Sequence, residues 1–250
     1  MERKKVAIIL PNFNSDKYLV RTLNSVISQT LKEWRLYIVD DNSNQKTIKI
    51  LKKYKNNKKI KIFYLKKNMG PGYCRNLAIE KSKSEYLAFI DSDDLWATTK
   101  LSDQIKFMEK KNIEFSYTNY KTISTRKNKI KNIIVPDKFD YKTFIKNTSI
   151  ATSTMVIKRQ IFKKIKFTDT KICEDFFYKC QLLKKIDYAY RLNKYLTKYR
   201  IRQGSLQSKK MRNLFWIWKI NKEFNKLNVL DNLISIFFIS LNSFKKYGLK

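Results

Sequence analysis

The sequence of 250 residues has no histidine, three cysteines, three prolines and four glycines, and its 21 acids face 55 bases. The absence of histidine removes the commonest general base and the commonest zinc ligand. Cys74, Cys173 and Cys180 are odd in number and lack metal-ligand spacing, so reduced thiols in a cytosolic compartment are the simplest account. There is no Gly-x-Gly-x-x-Gly run and no P-loop, so any phosphate must be handled without a glycine cradle. No segment reaches the roughly 18 consecutive apolar residues of a membrane-spanning helix. Met1-Glu2-Arg3-Lys4-Lys5 runs straight into a short strand pattern, which leaves no room for a secretory apolar region. Internal repeats and Pro/Gly/Ser-rich linkers are also missing.

What is present is a core. Hydrophobic residues make up 43% and aromatics 14%, too much for global disorder. The net charge of +34 favours anionic partners: nucleic acid, phosphorylated ligands or an acidic membrane surface. Many of the lysines, such as Lys52, Lys53 and Lys55, fall on exposed helix faces. Compositional drift therefore accounts for the larger share of the excess.

Along the chain, strands and helices alternate. Val6 to Leu10 is an apolar strand closed by Pro11-Asn12-Phe13-Asn14. Leu19, Leu23, Val26 and Ile27 recur at helical spacing within a helix from Tyr18 to Gln29. Trp34 to Val39 is a second strand ending in Asp40-Asp41-Asn42-Ser43. A helix from Gln45 to Tyr54, a strand from Ile60 to Leu65, the turn Asn68-Met69-Gly70-Pro71-Gly72 and a further helix follow. The strand Tyr86 to Ile90 then delivers Asp91-Ser92-Asp93-Asp94, and Thr98 to Lys111 reads as a helix. This order predicts right-handed crossovers and a largely parallel sheet with helices on both faces. The rhythm breaks after Phe115 to Tyr120: Lys121 to Val135 is a hairpin or a loop, Thr154 to Ile157 a strand, Glu174 to Leu183 a helix and Tyr188 to Tyr199 a strand. Two helices, Asn213 to Leu227 and Leu230 to Phe244, close the chain.

Two strand ends carry acid, and in an open α/β sheet ligands bind at that edge. Crowded carboxylates repel unless something positive sits between them. A hard divalent cation suits them, since Mg²⁺ is typically held by one or two carboxylates plus substrate phosphates. A carboxylate also accepts from ribose hydroxyls or a base N–H. A solvated acidic turn capping the next helix would use the same residue types.

Six segments in order resemble the inverting family 2 glycosyltransferases of the GT-A fold. They are Val6-Ala7-Ile8-Ile9-Leu10-Pro11-Asn12-Phe13-Asn14; Tyr18-Leu19 with Ser25-Val26-Ile27-Ser28-Gln29-Thr30; Val39-Asp40-Asp41-Asn42-Ser43; Asn68-Met69-Gly70 with Cys74-Arg75-Asn76, where Ala is usual at the Cys; Phe89-Ile90-Asp91-Ser92-Asp93-Asp94, which matches the Asp-x-Asp motif; and Glu174-Asp175. The resemblance is strong over about the first 110 residues and thinner to about residue 206. It implies an α/β domain over 1–206, with a mostly parallel, Rossmann-like sheet flanked by helices, a nucleotide-binding half at 1–110 and an acceptor-side half at 111–206. Residues 207–250 form a C-terminal helical extension.

The resemblance also implies a set of roles. Pro11 and Phe13 border the base of a nucleotide-sugar, of UDP type, and Asp41 accepts a hydrogen bond from it. Arg75 fixes the nucleotide end, Asp91 approaches the ribose, and Asp93, with Asp94 as rival, ligates Mn²⁺ or Mg²⁺. Asp175 is the general base. Members often carry His where this chain has Arg202, which can pair bidentately with phosphate. The Gln-x-x-Arg-Trp signature of processive synthases is absent, so one sugar is added per encounter. Trp96 is a candidate for the acceptor floor, although an aromatic at that place is more often core. The implied acceptor is a glycan or lipid-linked glycan of bacterial surface-polysaccharide type.

From Arg191 to Lys250 there are 14 Lys/Arg against Glu223 and Asp231, together with Phe215, Trp216, Trp218, Ile236, Phe237, Phe238 and Ile239. Bases and aromatics on short helices suit an interfacial helix on anionic lipid; docking on the domain as ordinary core is an equal alternative. The expected location is cytoplasmic, peripheral at the inner face of the membrane. A nucleotidyltransferase would need a Gly-rich basic loop after the first strand, which is missing. A nucleic-acid-binding protein is suggested by charge alone, so no nucleic-acid partner is expected. A non-catalytic sugar-nucleotide binder is disfavoured because all the acids are present.

Overall fold

The computed structural model describes residues 5–124, 130–162, 165–168, 170, 172–202 and 210–247. The first half runs β1 (Val6–Asn12), α1 (Leu19–Ile27), β2 (Trp34–Asp40), α2 (Gln45–Lys52), β3 (Ile60–Tyr64), α3 (Pro71–Glu80), β4 (Tyr86–Phe89), β5 (Leu95–Trp96) and α4 (Lys100–Lys110). The second half runs β6 (Phe115–Ser124), β7 (Ile130–Ile133), β8 (Lys138–Phe139), α5 (Tyr141–Phe144), β9 (Val156–Lys158), α6 (Glu174–Leu183), β10 (Ala189–Ile201), α7 (Lys210–Glu223) and α8 (Val229–Tyr247). The 121–135 segment resolves as the hairpin alternative, with β7 antiparallel to β6. The expected boundary at 206/207, the stretch after Arg202 and the first four residues lie outside the described residues.

The strand order is β3-β2-β1-β4-β9-β6-β10-β5. Pairs β3–β2, β2–β1, β1–β4 and β6–β10 are parallel, whereas β9 is antiparallel to both β4 and β6. Of the parallel strands, β1, β2 and β4 are buried on both faces, which is why they read as apolar runs. Their alternate residues feed two cores. Val6, Ile8 and Leu10 face one with Leu36, Ile38 and the α1, α2 and α4 residues Leu23, Leu51 and Ile105. Ala7 and Ile9 face the other with Val39, Ala78 of α3 and Tyr178 of α6.

Register sets the site. Asn12 pairs with Asp40 and Asp40 with Tyr64, so the first acidic loop leaves the carboxyl edge of the sheet. Asp91 to Asp94 carry the chain from β4 to β5, which pairs with β10 at the far end of the strand order. Trp96 is core: its Nε1 donates to Ser153 O at 2.8 Å and the Lys100 ammonium lies 3.9 Å from its ring centroid. This corrects its candidacy for the acceptor floor.

Helix α3 enters with Gly70 at φ +86° and Pro71 in its first turn, a conformation suited to glycine and a helix start suited to proline. Gly72 faces the 165–168 segment and the first residue of α6: a Cβ there would lie 2.6 Å from Thr168 O and 3.1 Å from Glu174 Cγ. Gly72→Ala should therefore push α3 from α6, lowering stability by about 1–3 kcal/mol. Thermal unfolding should show a drop of several degrees, and an unchanged midpoint would mean the two elements are not packed this closely.

Candidate active site

The nucleotide-side loops are tied by side chains. Asn12 Nδ2 donates to Asp40 Oδ1 at 2.6 Å, Ser43 N donates to Asp40 Oδ2 at 3.1 Å, and Asn44 N donates to Asn14 Oδ1 at 2.8 Å. Asn14 and Asn42 both have positive φ, 46° and 62°, which Asn tolerates better than most residues. Asp41 is buried, and its two carboxylate oxygens accept the backbone N–H groups of Met69 at 2.6 Å and Gly70 at 2.8 Å. It thus joins the end of β2 to the mouth of α3. Pro11 is buried within β1, while Phe13 is 48% exposed.

The acidic loop is divided between structural and available oxygens. Asp94 is 1% exposed; its Oδ1 accepts Arg200 N–H at 2.8 Å and its Oδ2 accepts the Ser153 hydroxyl at 2.6 Å. Burial, with Asp93 and Asp91 as negative neighbours, pushes its carboxyl well above the usual range. The Asp93 carboxyl rises to about 6, chiefly through burial, with Arg202 opposing. Arg202 Nε lies 2.6 Å from Asp93 Oδ2, and Arg200 Nε donates to Asp93 O at 2.8 Å. The two guanidinium carbons sit 4.6 Å (Arg200) and 5.7 Å (Arg202) from the Tyr18 ring centroid. Asp91 is half-buried; Ser153 Oγ receives its N–H at 3.0 Å and Arg75 Nη2 donates to its Oδ1 at 2.7 Å. Among the described residues, Asp91 Oδ2 and Asp93 Oδ1 have no hydrogen-bond partner.

Arg75 links this loop to α6. It is 4% exposed, and its other terminal nitrogen donates to Glu174 Oε1 at 2.7 Å. Burial raises the Glu174 carboxyl, with Arg75 opposing. Cys173, immediately before, adopts the left-handed conformation at φ 62°, a strained choice of the kind that clusters at functional sites. Asp175 follows. The hydroxyl of Thr152, in a short 3₁₀ turn over Thr152–Thr154, donates to Asp175 Oδ2 at 2.8 Å. The Lys179 ammonium donates to the same oxygen at 2.7 Å and to Thr152 Oγ1 at 3.0 Å. Burial would raise the Asp175 carboxyl, but Lys179, with Arg75 and Thr152 helping, outweighs it and holds the group at about 2.

One hydrogen-bonded frame thus runs from Asp175 through Thr152 and Ser153 to Asp91 and Asp94, and back through Arg75 to Glu174. Asp41 is joined to α3, five residues before Arg75. Of the nine residues singled out in the sequence, Asp91, Asp93, Asp94, Asp175, Arg75 and Arg202 belong to the acidic loop and its partners. Asp41, Pro11 and Phe13 line the neighbouring strand ends. Thr152, Ser153, Lys179 and Arg200 were not singled out. Lys179 was legible as an i, i+4 partner of Asp175; Arg200 acts through its backbone N–H on Asp94 and its Nε on Asp93 O.

No group of three or more His, Cys, Asp or Glu among the described residues is arranged to hold a metal alone. The donor set nonetheless fits a cation that completes its shell with phosphates. Asp91 and Asp93 each offer one unpartnered carboxylate oxygen, and hard oxygen donors suit Mg²⁺ and Mn²⁺.

The glycosyl transferase family 2 model matches residues 7–166. A UDP-Glc:alpha-D-GlcNAc-diphosphoundecaprenol beta-1,3-glucosyltransferase of Escherichia coli, WfaP, is 32% identical over 250 residues, covering 97% of this chain and 95% of that protein. The Staphylococcus aureus TarS fragment in complex with UDP-GlcNAc superposes with a TM-score of 0.73 at 22% identity, over 96% of this chain and 73% of that one. The mannosyltransferase PcManGT of Pyrobaculum calidifontis, in complex with GDP-Man and Mn²⁺, gives 0.70 at 11%, over 100% and 77%. Both structures share the GT-A-type fold seen here.

Lys179→Met should raise the Asp175 carboxyl from its depressed value of about 2. Because the folded value is the lower one, the ion pair stabilises the fold above pH 4 and that contribution fades between about pH 4 and pH 2. The variant should lose this acid-side slope. The ¹³C shift of the carboxyl against pH reads the change, and a midpoint left near 2 would show that Lys179 is not its cause.

Proposed function

The chain belongs to glycosyl transferase family 2, and from that premise we propose a metal-dependent, inverting transfer. A sugar moves from a nucleotide-diphosphate donor of UDP type to a hydroxyl of a lipid-linked glycan, in surface polysaccharide assembly. The observation that carries this reading is the frame joining Asp175 to the acidic loop while leaving one oxygen each of Asp175, Asp91 and Asp93 without a partner among the described residues. The named substrates of the Escherichia coli relative support a UDP-sugar donor and a diphosphoundecaprenol-linked acceptor. No helix of the described residues is long and apolar enough to cross a membrane, so a lipid-linked acceptor would be met at the membrane face.

The residues divide the work. Exposed Phe13 offers apolar surface to the base, with Pro11 buried two residues before it, and Asp41, both of whose oxygens accept the Met69 and Gly70 N–H groups, would hold the turn into α3 beside the base. Asp93, with Asp91, would hold Mn²⁺ or Mg²⁺; Asp94, both of whose oxygens are already engaged, is the weaker ligand candidate. The cation would neutralise charge on the leaving diphosphate. Arg202, beside Asp93, is placed to share that charge.

Asp175 Oδ1 would take the proton of the acceptor hydroxyl. The new O–C bond forms as the anomeric C–O bond to phosphate breaks, on opposite faces of the carbon, so configuration inverts and no covalent enzyme intermediate is needed. A carboxylate held at about 2 is a weak base toward a neutral alcohol. It is adequate toward an oxygen that is already bonding to carbon and has become strongly acidic, and such assistance is typically worth ~10²–10⁴-fold. The second ion partner of the frame, Arg75, keeps Glu174 and Asp91 from repelling one another across the site.

Asp175→Asn should leave binding of a uridine diphosphate nearly intact and reduce transfer by at least ~10²-fold; full turnover would reassign the base. Asp93→Ala should abolish the Mn²⁺ dependence of that binding in titration calorimetry, and unchanged Mn²⁺-dependent binding would remove the metal role.

A further inference from the structure

Helix α8 is built inside out. Its buried side carries Asn232, Ser235 and Ile239. Asn232 Nδ2 donates to Trp218 O at 3.0 Å, the Ser235 hydroxyl donates to Ile145 O at 2.6 Å, and Asn221 Nδ2 of α7 donates to Asn232 Oδ1 at 3.1 Å and to Ser235 Oγ at 3.0 Å. Its outer side carries Leu230 at 68% exposure, Leu233 at 54%, Phe237 at 59%, Leu241 and Phe244. Their spacing of three and four residues makes one continuous apolar stripe. Asn232 and Ser235, together with Ile236 and Ile239, pin the helix to the domain, and a second set of apolar side chains is left outside. A monomer in water gains nothing from that arrangement, and exposed stripes of this kind mark an interaction surface.

Charge selects the occupant. A second copy of a +34 chain would be repelled, whereas an anionic bilayer attracts it. The stripe also ends at a basic cavity. Lys131, Lys245 and Lys246 line a space of about 430 Å³ between β7 and the end of α8, with Asn147, Ser149 and Asn242 as further polar lining. Exposed Ile134 borders it. Cations beside an apolar stripe match a phosphate headgroup above acyl chains.

We propose that the outer face of α8 is the membrane-docking surface, lying in the plane of an anionic bilayer with Leu230, Leu233, Phe237, Leu241 and Phe244 below the headgroups and Lys131 and Lys245 among the phosphates, while Lys246 is held inward by Asn147 and Ser149. This deepens the reading of a lipid-linked acceptor, and it rests on that reading only for its purpose. The surface itself is argued from α8.

The test is sedimentation of the full chain with sucrose-loaded vesicles of phosphatidylcholine alone or mixed with phosphatidylglycerol. The intact protein should pellet with the mixed vesicles and weakly or not at all with phosphatidylcholine. Phe237→Ser with Leu233→Ser should weaken binding at least ~10-fold, because each buried side chain of this size is worth about that factor. Both residues are exposed, so the fold should survive, with circular dichroism and hydrolysis of the nucleotide-sugar as checks. Single Phe237→Ser should show an intermediate loss. Binding unchanged in the double variant would overturn the proposal, leaving adsorption by charge. A dimer that the double variant dissociates, without vesicle binding by the intact chain, would overturn it in favour of a second copy. Vesicle binding without any sugar transfer would sink the enzymatic reading and leave the docking surface standing.

Discussion

The buried guanidinium of Arg75 is the constraint on which the site depends. It sits on α3, and its two ends reach carboxylates that the chain supplies 16 residues later and 99 residues later. Two buried carboxylates without a cation between them would be protonated or driven apart. With the planar fork between them, the loop after β4 and the first turn of α6 are fixed relative to one another. A lysine could not do this, since it offers one charged point and not two diverging nitrogens. The close approach at Gly72, one turn before Arg75, is what lets α3 stand near enough to α6 for the fork to reach Glu174. The Arg-Asn pair and the glycine turn are thus one device, read as separate pieces in the sequence.

The parallel part of the fold was legible because its strands are apolar without interruption and its helices carry apolar residues at period 3.6. Val6 to Asn12, Trp34 to Asp40 and Glu174 to Leu183 fall where the pattern puts them. The short pieces were not legible. Leu95–Trp96 is a strand only because β10 passes beside it, and Lys138–Phe139 only because the start of β10 does. Two residues hold no period, so their state is decided by tertiary contact. Of the Thr152–Thr154 turn only Thr154 was read, as the start of a strand, since β-branched and hydroxyl residues suit either. Its role comes from Asp175, Asp91 and Asp94 needing donors. In α8 periodicity identified the helix and left an interfacial face and ordinary core as equal readings. Ile236 and Ile239 pack on the domain, and Asn221, Asn232 and Ser235 satisfy one another beside them, which no window of hydrophobicity reports.

The same distinction separates the acids. All of Asp91, Asp93, Asp94, Glu174 and Asp175 look alike in a sequence, and their repulsion would be severe if each were charged and unpaired. Each acquires its own counterpart: Arg75 for Asp91 and Glu174, Arg202 for Asp93, the Arg200 N–H and the Ser153 hydroxyl for Asp94, Lys179 for Asp175. Local charge is therefore nearly balanced inside a strongly basic molecule, and the wider positive field still draws an anionic donor toward the edge of the sheet.

Balance of charge leaves a question of oxygens. A carboxylate that spends both of them on the protein is structural, however acidic its surroundings; one that spends a single oxygen is held in place and still able to react. By that criterion Asp94 supports the loop, anchored to β10 and to the 152–154 turn at once. Asp91 and Asp93 are each fixed at one oxygen by an arginine, and Asp175 at one oxygen by Lys179 and Thr152. The three available oxygens sit on side chains whose orientation is already determined by a buried or half-buried cation. A second substrate-binding event would have little side-chain freedom left to remove, which is the condition under which positioned groups are most effective. The arginines and the lysine are thus not merely neutralising. They fix which half of each carboxylate faces the protein, and so which half is left for chemistry.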